Sequence, residues 1–380
     1  MKLQDGTFSL IHVPLHLYSS FLHPILQVLL PQSPGRGESG GEGLTVDKQH
    51  SFLNISITPI ECSVVCHTSW VKSVWEPAIK RLPKDPTSRR TVTVSKDMCV
   101  FSVISAGMDA GSRVVDLTSP LALAGISIFF ITTYYSDFIL VPTKDRHSVV
   151  TALLTRGFEF SEDEAAFKPA GPQAHSRAGS QSSDPPSTPP PSSPGELQVR
   201  TFELLKRRSV VPYVEDGLRL IHCSGRERSS IRGYSDRPSF SRTPTGNGTR
   251  VKSWVDTVDT KLYTSVVSAL VSQPRFLSIT LAQDDPPSLL LDKELLNVFG
   301  DSLVGPTEGT LIPVFLDLDN LPFEATGIVS GVAGKLVQDM MMESAELSYL
   351  STARAGAVIL SGEQSVKALA ILKSSLTKEG

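Results

Sequence analysis

Cysteine is scarce in this chain, with four residues in 380. Cys62, Cys66, Cys99 and Cys223 are too few for a disulfide framework and fall in or near aliphatic, strand-like stretches. They read as buried thiols in a reducing compartment. Cys62 and Cys66 have no second pair at zinc-ligand spacing, so neither a metal nor a cofactor is expected. An excess of charge of one sign is lacking as well: 36 Lys and Arg against 39 Asp and Glu leave a net charge of −3. That balance excludes a surface devoted to nucleic acid. Also missing are a Gly-rich phosphate loop with its Lys-Ser/Thr, an HExxH pair and a GxSxG elbow. His147 and His222 stand alone. No catalytic constellation assembles, and a non-enzymatic protein is expected.

One run, residues 117–136, carries no charge over 20 positions and is long enough to span a bilayer as a helix. It nevertheless contains Pro120, Gly125 and five hydroxyl residues from Thr118 to Thr133, and its centre, ISIFFITTYY, is rich in β-branched and aromatic residues. A strand buried under helices fits that composition better. At the N-terminus, Asp5, Pro14 and Pro24 interrupt the apolar stretches that a secretory signal would need. The expectation is a cytoplasmic protein without a membrane span.

What the chain does contain is a repeated pattern. The first copy reads DLTSPLALAGISIFFITTYYSDFILVP (Asp116 to Pro142), and the second TGIVSGVAGKL…ELSYLSTARAGAVILSG (Thr326 to Gly362). Each places an apolar helix before an aliphatic strand ending in Thr133 or Thr352, then a tight turn and a second strand, FILV or AVIL. Both continue into a helix, SVVTALL at Ser148 and SVKALAIL at Ser365. Two separate elements agree, so the chain reads as duplicated αβ units.

The rest can be laid out around these copies. FSLIHVPL (Phe8 to Leu15) reads as a strand and LYSSFLHPILQVLL (Leu17 to Leu30) as a helix interrupted at Pro24, with strands following in FLNISITPIECSVVC (Phe52 to Cys66). A first unit over residues 1–90 and a second over 91–165 account for this half. Eight prolines lie between Lys168 and Gly195, so residues 166–196 are expected as a disordered Pro/Ser-rich tether. LQVRTFELL (Leu197 to Leu205) then reads as a strand, KLYTSVVSALV (Lys261 to Val271) as a helix, and FLSITLA with PSLLLD as a hairpin-like pair. These belong to a third unit at 197–303, and a fourth occupies 304–380.

A basic insertion, residues 206–252, interrupts the third unit with eleven Lys and Arg against four Asp and Glu. Few aliphatics accompany them, which predicts disorder. Arginines near Ser229, Ser239 and Thr243 make these candidate phosphorylation sites, where phosphate would invert the local charge. A merely tolerated surface insertion accounts for the same composition.

Helix, strand ending in Ser/Thr-Thr, turn, strand and helix, as in GISIFFITTYYSDFILVP and ELSYLSTARAGAVIL, resembles the ACT domain, the ligand-binding βαββαβ unit of amino-acid-regulated enzymes. With TYYSDFILVP in the second unit and FEATGIVSGVAGKL (Phe323 to Leu336) in the fourth, the chain is similar to the CASTOR family, cytosolic arginine sensors of the TOR pathway. The resemblance is strong over residues 98–158 and 311–372, weak over the first and third units, and absent from the tether and insertion. It implies an α+β fold of four ferredoxin-like βαββαβ ACT units in two tandem pairs. It also implies an amino acid held between units two and four, at Asp116, Leu117, Thr326, Gly327, Ile328, Val329 and Thr352.

The residues themselves permit such a site. Thr326 reads as the N-cap of a helix over GIVSGVAGKLVQ, with Gly327 allowing a carboxylate to approach unpaired amides. Asp116 reads as the cap of DLTSPLALA, with Gly125 as its stop, and could accept bonds from a ligand ammonium. Plain helix capping explains both residues equally. Against the family pattern, Gly356 stands in place of the pocket aspartate in the turn, Ala325 in place of an acidic residue and Ala353 in place of an aromatic. A buried guanidinium without its anion costs several kcal/mol, roughly 3 to 5, so arginine is disfavoured as ligand. The expectation is an amino-acid sensor that signals through a protein partner in TOR-type control, with a homo-oligomer left open. Two alternatives stand beside it: a ligand-independent scaffold using the basic insertion and tether, and a detached regulatory subunit of an amino-acid biosynthetic enzyme.

Overall fold

The computed structural model describes residues 1–30, 50–82, 91–104, 110–161, 191–226, 259–340 and 347–377. It begins with β1 (Lys2–Leu3), β2 (Phe8–Pro14), α1 (Tyr18–Leu29), β3 (Phe52–Ile57), β4 (Glu61–His67) and α2 (Glu76–Lys80). Next come β5 (Thr93–Ile104), α3 (Ala110–Leu123), β6 (Phe129–Thr132), β7 (Ser136–Pro142) and α4 (Arg146–Leu154). After α5 (Pro194–Arg207) and β8 (Pro212–Tyr213) follow β9 (Leu220–Gly225), α6 (Thr260–Val271), β10 (Leu277–Ala282), β11 (Ser288–Asp292) and α7 (Leu296–Phe299). The chain closes with β12 (Leu303–Val304), β13 (Leu311–Asp317), α8 (Ile328–Asp339), β14 (Ser348–Ser351), β15 (Ala355–Ser361) and α9 (Gly362–Leu376). The order β-α-β-β-α therefore recurs four times, starting at β2, β5, β9 and β13.

The four runs share one sheet, which closes on itself. Its order is β9-β11-β10-β3-β4-β2-β5-β7-β6-β14-β15-β13, and Leu311 pairs with Leu220 to return β13 to β9, making a barrel-like ring of 12 strands. Closure removes the open edges that would otherwise template aggregation. Both faces of the ring are buried, which is why its strands read as near-continuous aliphatic runs. On β2, Phe8 and Leu10 belong to the interior cluster while Ile11 and Val13 belong to a cluster under the helices. Phenylalanines fill the interior: Phe8, Phe52, Phe138, Phe276 and Phe315, with the Phe52 and Phe138 rings 4.8 Å apart. Outside, α1 and α6 cover one side, where Trp75 stacks on Phe21 at 5.9 Å. The other side is covered by α3, α4, α5, α8 and α9.

Around the ring the runs stand in the order third, first, second, fourth. The first run joins the third through six residue pairs of β3 and β10, and the second joins the fourth through β6 and β14. Chain neighbours meet at the seams β2–β5 and β9–β13. The meeting of the second and fourth runs is the one the family resemblance implies, whereas the pairing of the first with the third has no local mark, because each strand edge is chemically alike.

Several local expectations also change. Leu197–Leu205 is helical, not a strand: Ser193 Oγ accepts from the Glu196 N–H at 3.2 Å, Pro194 opens α5, and Leu197, Thr201, Phe202 and Leu205 are buried at helical spacing. Pro24 lies inside α1 without ending it. The expected insertion 206–252 overlaps the end of α5, β8 and β9; its part from residue 227 lies outside the described residues, with Ser229, Ser239 and Thr243. Tether residues 162–190 lie outside them too. Among the described residues no helix is long and apolar enough to cross a membrane. The charge-free run 117–136 is the second half of α3, then β6 and the turn after it.

All four cysteines are buried, and they form no disulfide among the described residues. Burial pushes the Cys223 thiol up to about 12 and the Cys62 thiol higher still, where the Glu61 charge adds to the effect. Reactivity belongs to the thiolate. The native chain is therefore expected to resist a thiol-specific chromogenic reagent at pH 8, with all four cysteines reacting once denaturant is added. Fast labelling of any one without denaturant would contradict this packing.

Candidate functional site

The contact between the second and fourth runs is pseudo-symmetric. Ile131 pairs with Leu350 at its centre, and around that pair the Phe130 N–H donates to Ser351 Oγ while the Tyr349 N–H donates to Thr132 Oγ1, each at 3.0 Å. Every bond has a mate of exchanged partners, which is the signature of an isologous contact within one chain. The helices follow suit, since α3 packs on α8 with Ser119 Oγ and Ser330 Oγ 2.8 Å apart. Both Thr residues of the repeat act as turn locks. The Thr133 N–H and Oγ1 donate to the Ser136 carbonyl at 2.9 and 2.6 Å, and the Thr352 N–H donates to the Ala355 carbonyl at 2.9 Å. The first run has the same device at Thr58, whose N–H and Oγ1 donate to the Glu61 carbonyl at 2.9 and 3.1 Å. Sequence comparison of two copies missed this third one.

Beside this contact lies a cavity of about 60 Å³, bounded by α3, β6, the β13–α8 connection and the β14–β15 turn. At roughly 10–15 Å³ per water, it has room for about four to six waters, which suits a small ligand's main-chain atoms and not a long side chain. Ile328, Val329 and Ser330 open α8 on its wall. First-turn amides have no acceptor within their own helix, so this wall offers N–H groups to an anion. Tyr349 lines the same cavity and is 1 % exposed, yet its hydroxyl finds no hydrogen-bond partner among the described residues. Burial also raises its pKa, keeping it a neutral donor. Gly356 makes room for that hydroxyl: a Cβ there would sit 2.5 Å from Tyr349 Oη. The position that the CASTOR resemblance fills with a carboxylate is thus occupied by a phenol.

A carboxylate from across the ring holds the cavity's turn. Glu61, fully buried at the start of β4, accepts from Thr352 Oγ1 at 2.6 Å and from the Arg354 N–H at 2.5 Å, while its other oxygen meets His12 Nδ1. Ser63 Oγ accepts from the Ala353 N–H at 3.3 Å. The first run therefore shapes the wall of a cavity between the second and fourth. Arg354 of the same turn has its Nε 3.7 Å from Asp319 Oδ1.

The structure separates the expected site residues. Gly327, Ile328, Val329 and Thr352 line the cavity, whereas Asp116 is exposed and Leu117 is buried in the core under α3. Asp116 caps nothing, because α3 starts at Ala110 and carries Asp116 and Pro120 in its interior. Its end is as expected: Gly125 is left-handed at φ +71°, its N–H reaches the Ala122 carbonyl and that of Ile126 reaches Leu121. Thr326 is not the cap of α8 and faces a groove against α5; the cap is Gly327, at φ +80°. A Cβ on Gly327 would lie 2.6 Å from Leu197, so this glycine serves helix packing as well as ligand approach. Tyr349, Thr118 and Ala122 were missed. Only the helical stripe of α3 and the alternation on β14 could have signalled them.

Residues 93–155, which span β5 to α4, match the ACT domain family, so the chain contains an ACT domain. No curated protein matches the chain. Among solved structures it is similar to protein Atu0741 from Agobacterium tumefaciens, at 20% identity over 42% of this chain and 90% of that one, with a TM-score of 0.24. Aspartate kinase from Synechocystis is 11% identical over 99% of this chain and 55% of its own, with a TM-score of 0.31. For Clostridium acetobutylicum aspartate kinase the values are 12%, 40%, 32% and 0.27.

Proposed function

We propose that the protein is a non-enzymatic amino-acid-binding regulator built of four ACT units, a divergent relative of the CASTOR family. The ligand lies between the second and fourth units and signals to a protein partner, in TOR-type nutrient control within the cytoplasm. The observation that carries this reading is the unpartnered, buried Tyr349 hydroxyl in a cavity walled by the start of α8. A buried polar group without a partner is costly and persists where a ligand supplies the partner. The matched ACT domain supports amino-acid-linked regulation as the class. The α-carboxylate takes the α8 amides, Tyr349 Oη donates to a ligand oxygen, and the small cavity selects a short side chain. Arginine is disfavoured by that volume and by the phenol in place of a carboxylate.

A panel of the common amino acids against the full chain, read by thermal shift and calorimetry, tests this. Small amino acids are expected to raise the melting temperature, and arginine to leave it unchanged. Ala122→Leu, which fills the cavity from α3, is expected to remove the response while leaving the apo protein folded. No response to any amino acid, or full response in the filled variant, would contradict the site.

A further inference from the structure

The pseudo-twofold at β6–β14 gives the first cavity a mate, and the mate has a chemistry of its own. A second cavity, of about 430 Å³, is lined by Thr132, Thr133, Tyr134, Leu347 and Ser348. Under the symmetry of the β6–β14 contact these are the counterparts of Ser351, Thr352, Ala353, Ile128 and Phe129, all of which line the first cavity. The remaining walls differ, because the third run contributes Ile221 and His222. Arg113 of α3 reaches this cavity. Its Nε lies 2.6 Å from Asp137 Oδ2, and Asp137, at the position matching Gly356, is 1 % exposed and does not line the space. The carboxylate thus holds the guanidinium from behind. A planar guanidinium carries five donors, and the Nε contact with one further 3.5 Å bond to Asp137 leaves donor capacity toward the cavity. Beside it, His222 Nε2 is buried with no hydrogen-bond partner among the described residues. Leu311, Leu347 and Ile221 supply apolar wall.

We propose that this cavity is a second ligand site, taking a small organic carboxylate with an apolar body: the carboxylate bonds to Arg113 and His222, and the body lies against Ile221, Leu311 and Leu347. Burial first, and then the Arg113 charge, lower the His222 pKa to about 4, so the ring is neutral near pH 7 and does not repel Arg113. The proposal rests on the pseudo-symmetry and on these side chains, not on occupancy of the first cavity.

Such a carboxylate could belong to a free amino acid or to its 2-oxo acid, and matched probes distinguish them. Calorimetry of the full chain with leucine, 4-methyl-2-oxopentanoate, phenylalanine and phenylpyruvate is expected to give saturable binding for at least one member. Because Arg113→Gln alone would take the guanidinium away from the buried Asp137 carboxylate, the informative variant is the double Arg113→Gln, Asp137→Asn. It is expected to weaken that binding at least tenfold, as is His222→Phe, whereas Ala122→Leu leaves it intact. Preference within each pair shows whether an ammonium or an oxo group accompanies the carboxylate. Absence of saturable binding by all four probes would overturn the site, as would binding retained in the double variant. Loss on Ala122→Leu would overturn it too, by assigning the heat to the first cavity. Failure of the first cavity to respond to any amino acid leaves this outcome separately readable.

Discussion

The Glu61→Leu protein is expected to lose about 3–5 kcal/mol of stability, the cost of breaking a buried polar pair from one side. Glu61 is the shared acceptor of Thr352 Oγ1 and the Arg354 N–H and the partner of His12 Nδ1. Leucine fills much of its volume but accepts nothing, so Thr352 Oγ1, the Arg354 N–H and His12 Nδ1 lose this partner together. Urea unfolding measures the effect as a lower midpoint with an unchanged slope. Because those groups belong to the first and fourth runs, the same variant is expected to loosen the cavity's turn and diminish the amino-acid response. Glu76→Leu is the control: Glu76 meets Lys96 at 2.9 Å at the surface, and its loss is expected to leave the midpoint almost in place. Equal midpoints for Glu61→Leu and the unsubstituted chain would show that the cross-ring contact holds nothing.

Tyr349→Phe is expected to move stability and ligand response in opposite directions. Removing a buried hydroxyl with no partner recovers its desolvation cost, about 1–3 kcal/mol, so the apo protein is expected to melt higher. The same change deletes the donor proposed for the ligand, and the thermal shift with small amino acids should disappear. A residue kept at a cost in stability is the usual mark of a functional one. Gly356 supplies an internal check. A Cβ there would lie 2.5 Å from Tyr349 Oη but 3.3 Å from the ring carbon that bears it, so Gly356→Ala is expected to destabilise the unsubstituted chain more than the Tyr349→Phe chain. A double-mutant cycle in thermal unfolding reads that difference. If Tyr349→Phe lowers the melting temperature and keeps the ligand response, the hydroxyl has a structural partner and the cavity is not the site.

Local patterns were legible wherever a single element carries its own period or punctuation. The Thr133 and Thr352 turns, the hairpin of β10 and β11, the stop at Gly125 and the helix of α6 all follow from short-range chemistry. Errors arose where two local signals competed. Leu197–Leu205 alternates enough to resemble a strand, but Ser193, Pro194 and Glu196 form a helix start that outweighs it once Leu197, Thr201 and Phe202 find a surface to cover. Asp116 reads as a cap when the apolar stripe is counted from Leu117, yet Val114, Leu117 and Leu121 form one buried stripe and draw the helix back to Ala110.

Amino-acid order by itself determined the helices and strands of the repeated runs, the buried state of the cysteines and the presence of a possible anion-binding helix start. These depend on neighbours within about ten residues, whose backbone geometry and burial pattern are set by the chain's own periodicity. Only the tertiary structure decided that the first run joins the third, that the sheet closes, that Glu61 reaches the Thr352 turn, and that Tyr349 occupies the space left by Gly356. Those contacts join residues far apart in the chain, and their energies come from cooperative exclusion of water across the whole ring. A strand carries no local mark of its distant partner.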